Sequence, residues 1–236
     1  MTSEPARGLV LREFDLFRDL ADDEVAAIGE AALMRALPAG QLLYSPTRPT
    51  EVLFILRSGR VRLYVIGPDG RTLTTAIVES GELFGEMVPL GQSLTDTSAE
   101  TLEPCIVCPL SRQDVERLLL ADPRIAARIA EILGRRVAEL ETRLSDTVLR
   151  SAPERIASTL ARMAGHEGAD VRLTHEQLAD LVGTSRETVT KVLGDLADRR
   201  LVRLRRGRVD VTDGAGLRSL IESGGLNPVT GGGHRR

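Results

Sequence analysis

The period of the apolar positions changes three times along the chain. From Leu9 to Met34, Phe14, Phe17, Leu20, Val25, Ile28 and Leu33 recur at mostly helical spacing, and Asp22 can cap a second helix. From Leu37 to Leu110 the apolar residues come in short runs: Leu42 to Tyr44, Val52 to Leu56, Val61 to Ile66, Leu73 to Val78 and Cys105 to Leu110. Gly59, Asp69-Gly70 and Gly81 punctuate them. Short strands divided by turn residues predict an antiparallel barrel or jelly roll. From Asp122 to Leu149 the helical period returns: Ile125, Ile129, Ile132 or Leu133, Val137, Leu140, Leu144 and Val148 form a narrow seam of period roughly 3.5. Asp122 caps this helix and Pro123 takes its first position, where no amide is needed. Charged shoulders at Arg135, Arg136, Glu139, Glu141 and Arg143 flank the seam. The pattern predicts a parallel two-stranded coiled coil; a monomeric connector packed on one domain is the alternative.

Pro153 restarts a shorter helix with Ile156, Leu160 and Met163 inward, and Gly165 to Asp170 reads as a loop. Leu173 to Leu193, LTHEQLADLVGTSRETVTKVL, then reads as two helices joined by a tight turn. Thr174 caps the first, and Gln177 completes a capping box. Leu178, Leu181 and Val182 give it an apolar stripe, and Gly183 supplies a left-handed residue at the turn. Thr184 or Ser185 caps the second helix, whose Val189, Val192 and Leu193 must face a core. Its other face carries Ser185, Arg186, Glu187, Thr190 and Lys191. Such a face is often merely solvated, but Leu201 to Val211, LVRLRRGRVDV, follows as a basic hairpin around Arg205, Arg206 and Gly207. A helix pair with a basic wing is a DNA reader's layout. Asp213 caps a last helix with Leu217, Leu220 and Ile221, and the Gly-rich tail from 224 is expected to be disordered.

Composition adds limits. A chain of 236 residues suggests two domains. The net charge of -3 is split: residues 151 to 236 hold 14 basic against 11 acidic side chains, and the remainder sums to -6. The basic half holds the helix pair, as phosphate neutralisation requires. No apolar run is long enough for a membrane span, and no secretory signal pattern opens the chain, so a cytoplasmic protein is expected. The three histidines, His166, His175 and His234, lie outside the strand region, and the two cysteines, Cys105 and Cys108, cannot alone ligate an iron-sulfur cluster. No metal centre, haem or cluster is expected, and no nucleophile or ligand set suggests an enzyme such as a catalytic cupin. Cys105 and Cys108 would face opposite sides of an extended strand, which favours packing over a redox role.

Two motifs point to one family. TSRETV closely matches the recognition helix of the CRP/FNR family of bacterial transcription regulators, and FILRSGRVRLY followed by GPDGRTLTTAIVESGELFGEM resembles that family's cyclic-nucleotide-binding β-roll. The resemblance implies an α+β chain with an antiparallel β-roll (jelly roll) sensor domain over 1–121, a dimerisation helix over 122–150 and a winged helix-turn-helix domain over 151–223. It also implies a homodimer on double-stranded DNA with RNA polymerase as a further partner; the Gly165 to Asp170 loop is the candidate contact by analogy, while its residues alone favour an ordinary connecting loop. Pseudo-palindromic operators with TGTGA-like half-sites follow. Arg186 and Glu187 match the family's base readers; Lys191 stands where arginine is more usual, which loosens discrimination there. Thr174, His175, Ser185 and Thr188 become phosphate or supporting contacts, with Arg205, Arg206 and Arg208 on the wing. The dimer seam becomes Ile125, Ile129, Leu133, Val137, Leu140 and Leu144.

The effector pocket departs from the pattern. Gly85, Glu86 and Met87 match the family's G-E-L segment, and Glu86 can accept a ribose hydroxyl. The Arg-Ser pair that should follow is missing: the chain reads Leu94-Thr95-Asp96-Thr97-Ser98, with no Lys or Arg from Thr72 to Ser111. Leu140 and Glu141 replace the adenine-contacting Thr-Ser. A phosphate there would meet carboxylates rather than a cation. Ordinary cAMP binding is therefore not expected; Arg135 or Arg136 could serve a different anion. The expectation is a regulator, an activator by family, that works without cAMP; the alternative is one that answers another small molecule, or cAMP through a non-standard pocket. The other reading, a regulatory subunit whose winged helix meets protein, is disfavoured by the arginines of the wing.

Overall fold

The computed structural model describes residues 14, 17–18, 21–23, 34–48, 52–85, 96–165 and 170–223. The chain divides into two units, 1–137 and 138–236, which part inside one long helix rather than at its start.

The first unit holds eight short strands: β1 (Arg35–Leu37), β2 (Leu42–Tyr44), β3 (Val52–Ser58), β4 (Val61–Ile66), β5 (Thr72–Val78), β6 (Leu83–Gly85), β7 (Ser98–Thr101) and β8 (Cys105–Ser111). They form two four-stranded antiparallel sheets, ordered β1-β8-β3-β6 and β2-β7-β4-β5. The run VLFIL in β3 is continuous because both faces of that strand are covered. Phe54 and Leu56 join Tyr44, Val61, Leu63, Val78, Phe84, Ala99 and Val107 in one core, while Leu53 and Ile55 join Leu83, Cys108, Leu110 and Val115 in another. Phe14 and Phe17 are buried in that second core; the rest of the predicted helical stretch from Leu9 to Met34 lies mostly outside the described residues.

Strands β1, β6 and β7 go beyond the five predicted runs. Each spans three or four residues, too few for alternation to be visible, and β7 reads SAET although Ser98, Ala99 and Thr101 are all buried. A helix was also missed. Helix α1 (Arg112–Ala121) follows β8 directly. Its signal was present: Asp114 Oδ2 accepts from Ser111 N at 2.9 Å while Ser111 Oγ accepts from Asp114 N at 3.2 Å, a reciprocal cap readable as S-x-x-D.

Helix α2 (Pro123–Leu149) begins as expected, with Asp122 Oδ1 accepting from Arg124 N at 2.7 Å. Its N-terminal half is core: Ile125, Ile129 and Ile132 are buried in the cluster around Ile55 and Leu83. In the second unit, helix α3 (Ala152–Ala164) starts at Ser151, whose amide and hydroxyl both donate to Glu154 Oε2 at 2.8 Å. Strand β9 (Asp170–Val171), helices α4 (His175–Val182) and α5 (Arg186–Asp198), strands β10 (Val202–Arg205) and β11 (Arg208–Val211) and helix α6 (Gly214–Glu222) complete it. Helix α3 packs on α4, α5 and α6 through the buried Ile156, Ala157 and Leu160. Strand β9 adds a third member to the expected hairpin, ordered β10-β11-β9; Asp170, the last residue of the predicted loop, is the first of β9.

Candidate functional site

The helix pair is built from its caps inward. Thr174 Oγ1 accepts from Gln177 N at 3.2 Å, and Gln177 Oε1 accepts from Thr174 N at 2.9 Å, closing the predicted box at the head of α4. Gly183, at φ 67° and ψ 51°, turns the chain, and its amide reaches back to the Ala179 carbonyl. Ser185 Oγ then accepts from Thr188 N at 3.1 Å, which starts α5 one residue later. Val189, Val192, Leu193 and Leu196 bury one face of α5, and Arg186, Glu187, Thr190 and Lys191 are exposed on the other. The Glu187 carboxyl is held below its usual range, first by its own backbone amide at the helix start, then by the Ser185 hydroxyl. It is an acceptor.

His175 is not simply an exposed helix residue. Its Nδ1 lies 2.8 Å from Thr190 Oγ1, and Thr190 Oγ1 donates to the Arg186 carbonyl at 2.9 Å. With that hydroxyl proton committed, Nδ1–H takes the donor role, and the first helix of the pair is tied to the readout face of the second. Arg155 was not among the predicted site residues. Its guanidinium donates to the carbonyls of Val182 at 3.1 Å, Gly183 at 3.2 Å and Arg150 at 3.1 Å, so one side chain of α3 satisfies the end of α4 and the turn together. An arginine beside the inward Ile156 was the available signal.

On the wing, β10 and β11 pair from Val202↔Val211 to Arg205↔Arg208, with Arg206 and Gly207 at the tip. Arg203, Arg205 and Arg206 are exposed and Arg208 is half-buried. Two of the three predicted phosphate ligands already hold partners: Arg205 Nε lies 2.8 Å from Asp210, and Arg208 reaches Asp170 at 3.5 Å.

The predicted dimer seam is divided. Ile125 and Ile129 are covered by the roll's own core, and Leu133 packs partly against it. From Val137 onward the seam is bare in the single chain: Val137 is 54 % exposed, Leu140 52 %, Leu144 66 % and Val148 73 %. The head of the helix is thus spent on the fold, and its remaining length presents an apolar stripe.

The predicted effector residues are only partly brought together. Gly85, at φ 111°, sits where a Cβ would lie 2.4 Å from the Val52 carbonyl oxygen, so β6 approaches β3 only because this residue lacks one. Glu86 and Met87 lie outside the described residues. Thr97 is half-buried beside the exposed Asp96. Arg136 is no exposed shoulder: it donates to the Leu83 carbonyl on β6. Arg135 is exposed, 3.7 Å from Glu131. Leu140 falls in the other unit. Of the acidic residues in the arginine-free stretch, Glu100 pairs with Arg62 at 3.2 Å and Glu103 with Arg60 at 3.1 Å, both arginines coming from outside that stretch. Cys105 and Cys108 fall into separate cores, and burial pushes the Cys108 thiol up to about 11. Among the described residues no cluster of His, Cys, Asp and Glu could hold a metal, and no helix is long and apolar enough to cross a membrane.

Residues 34–122 match the cyclic nucleotide-binding domain and residues 154–220 the Crp-like helix-turn-helix domain. The chain is 34 % identical to the cyclic AMP receptor protein of Thermus thermophilus, over 87 % of this chain and 95 % of the relative. It is 28 % identical to the CRP-like cAMP-activated global transcriptional regulator of Mycobacterium tuberculosis, over 86 % of this chain and 95 % of that one. Among solved structures, the c-di-GMP responsive global regulator CLP of Xanthomonas campestris superposes with a TM-score of 0.66 at 26 % identity, covering 77 % of this chain and 94 % of that one.

Proposed function

The chain belongs to the CRP/FNR family of transcription regulators, and from that premise we propose that it is a cytoplasmic homodimer that reads a pseudo-palindromic operator, activates transcription through RNA polymerase and needs no cAMP to do so. The observation that carries the reading is the first two turns of α5, where Arg186, Glu187 and Lys191 are exposed on a helix whose other face is buried. Arginine can take guanine in a bidentate pair, and an ionised glutamate can accept from cytosine. Thr174, His175, Ser185 and Thr188 stand around those turns as phosphate or supporting contacts, and the wing adds Arg205, Arg206 and Arg208. The bare stripe of Val137, Leu140, Leu144 and Val148 supports a two-fold partner, and two copies give two half-sites about one helical turn apart. Activation of transcription rests on the family resemblance; the two relatives are named for cAMP, and neither name says that the protein activates transcription. The candidate polymerase loop, 165–170, lies mostly outside the described residues.

Independence from cAMP is supported by the charge of the roll. The stretch from Thr72 to Ser111 has no Lys or Arg, and Asp96 is exposed where the resemblance expects a cation. A second reading is a different effector, and Arg136 favours it, because its guanidinium lies on β6 two residues before Gly85. The Xanthomonas relative is named for c-di-GMP and shares the fold, so the family is not tied to one nucleotide. Either signal acts through α2, which belongs to both units. Selection from a random DNA pool with purified full chain, with and without cAMP, tests the proposal. An inverted repeat enriched equally in both arms supports it. Enrichment only with cAMP, or micromolar cAMP affinity by calorimetry, removes the cAMP-independent part, and no enrichment in either arm removes sequence-specific reading.

A further inference from the structure

The outer face of the wing sheet is not a plain row of cations. In the register of β10, β11 and β9, Val202, Val209, Val211 and Val171 share the buried face. Alternation then places Arg203, Arg205, Arg208, Asp210, Asp170 and Arg172 on the solvent side. Asp210 and Asp170 are directly opposed on neighbouring strands, which like-charge repulsion disfavours unless cations intervene. They do intervene. Arg172 lies 3.0 Å from Asp170, Arg208 lies 3.5 Å from Asp170 and 3.7 Å from Asp210, and Arg205 lies 2.8 Å from Asp210. The result is one ladder running Arg172, Asp170, Arg208, Asp210, Arg205. Arg206 at the hairpin tip and Arg203 on β10 are exposed and, among the described residues, take no part in an ion pair.

Resting on the reading of the wing as a phosphate-facing element, we propose that Asp170 and Asp210 are specificity-determining residues: they act as internal phosphate mimics that hold Arg205 and Arg208 on the sheet and leave Arg203 and Arg206 as the freely offered contacts. Exposed ion pairs are weak enough to exchange, so a DNA phosphate fixed in place by a docked recognition helix can take over both arginines. A duplex held loosely cannot supply acceptors at fixed positions. Its attraction follows the summed charge of the surface, from which the two carboxylates subtract. The ladder therefore weakens binding to random sequence more than binding to the operator.

The test uses the full chain with Asp170→Asn and Asp210→Asn, singly and together, on the selected operator and on a random duplex of equal length, by anisotropy across a salt series. The double variant is expected to bind random DNA about three- to tenfold tighter, with the operator affinity changed less and the log-log salt slope on random DNA steeper by about one to two. Asp210→Glu restores the parent values. Arg206→Ala weakens binding to both duplexes and lowers the slope by about one. Should Arg206→Ala weaken binding while the Asn variants leave random-DNA affinity and slope unchanged, or weaken them with parental melting temperatures, the ladder proposal is overturned and the wing reading stands. Should Arg203→Ala and Arg206→Ala both leave affinity and slope untouched, the wing reading itself fails. Asp170→Asn, at the edge of the sheet, decides the matter if Asp210→Asn does not fold.

Discussion

Base discrimination, as proposed, is concentrated in very few exposed side chains on the first two turns of α5. Arg186→Ala is expected to cost about 1 to 3 kcal/mol on the operator and to relax preference at one base pair, while random-DNA affinity changes little. Competition anisotropy against single-base operator variants measures this, and a uniform loss across all sequences would make Arg186 a phosphate contact instead. The cysteines give the opposite case: both are buried, and burial pushes both thiols up. The ordinary thiol value of 9.0 is raised to about 11 for Cys108 by burial, so the fold is favoured while the thiol stays protonated. That contribution is complete below 9.0 and is lost as pH rises through about 11. Alkylation of Cys108 at about pH 8 is expected to be slow in the native chain and fast only in denaturant; fast native labelling, read by mass spectrometry, would contradict the buried position. The exposure of Arg186, Glu187 and Lys191 was legible in the sequence from helical spacing, whereas their proposed role as base readers comes from the family resemblance. The part played by Arg155 was not legible, since its three carbonyl partners include two that are 27 and 28 residues away.

At the scale of elements, caps were better guides than periodicity. Thr174 with Gln177, Ser185, Asp122 and Asp213 all start helices where the sequence predicts. The strands β1, β6 and β7 escaped because a three- or four-residue segment buried by its neighbours needs no pattern of its own. Strand β9 exists only through its pairing with β11. The turn between α4 and α5 depends on a contact from another element: Arg155→Ala strips the guanidinium from the Val182 and Gly183 carbonyls. The expected loss is about 1.5 to 3 kcal/mol of stability, the range for charged hydrogen bonds, together with weaker operator binding. Thermal melting beside anisotropy checks it; a variant with parental melting and parental affinity would show that Gly183 and its caps hold the turn unaided. The end of α2 has a comparable staple, Asp146, which accepts from Ser158 Oγ at 2.9 Å and pairs with Arg150 at 3.2 Å.

At the scale of the whole molecule, the seam of α2 is where sequence and structure divide most usefully. Period alone could not tell which apolar positions serve the chain's own core and which await a partner, because Ile129 and Leu144 obey the same spacing. The fold assigns the first to the roll and leaves the second bare. Leu140→Asp with Leu144→Asp is therefore expected to give a folded monomer that has lost operator binding, seen as parental circular dichroism with halved mass in analytical ultracentrifugation; a variant that stays dimeric would move the interface elsewhere. Because the roll closes its core without drawing on Val137, Leu140 or Leu144, dilution of the proposed dimer is expected to yield intact monomers instead of denatured chains. If the proposed dimer forms, a pool of such monomers would turn expression level into a nonlinear input: while dimers are scarce, a doubling of chain concentration would roughly quadruple their number and with it operator occupancy. A regulator lacking the usual cation for its signal would then still possess a threshold, set by how much of it is made.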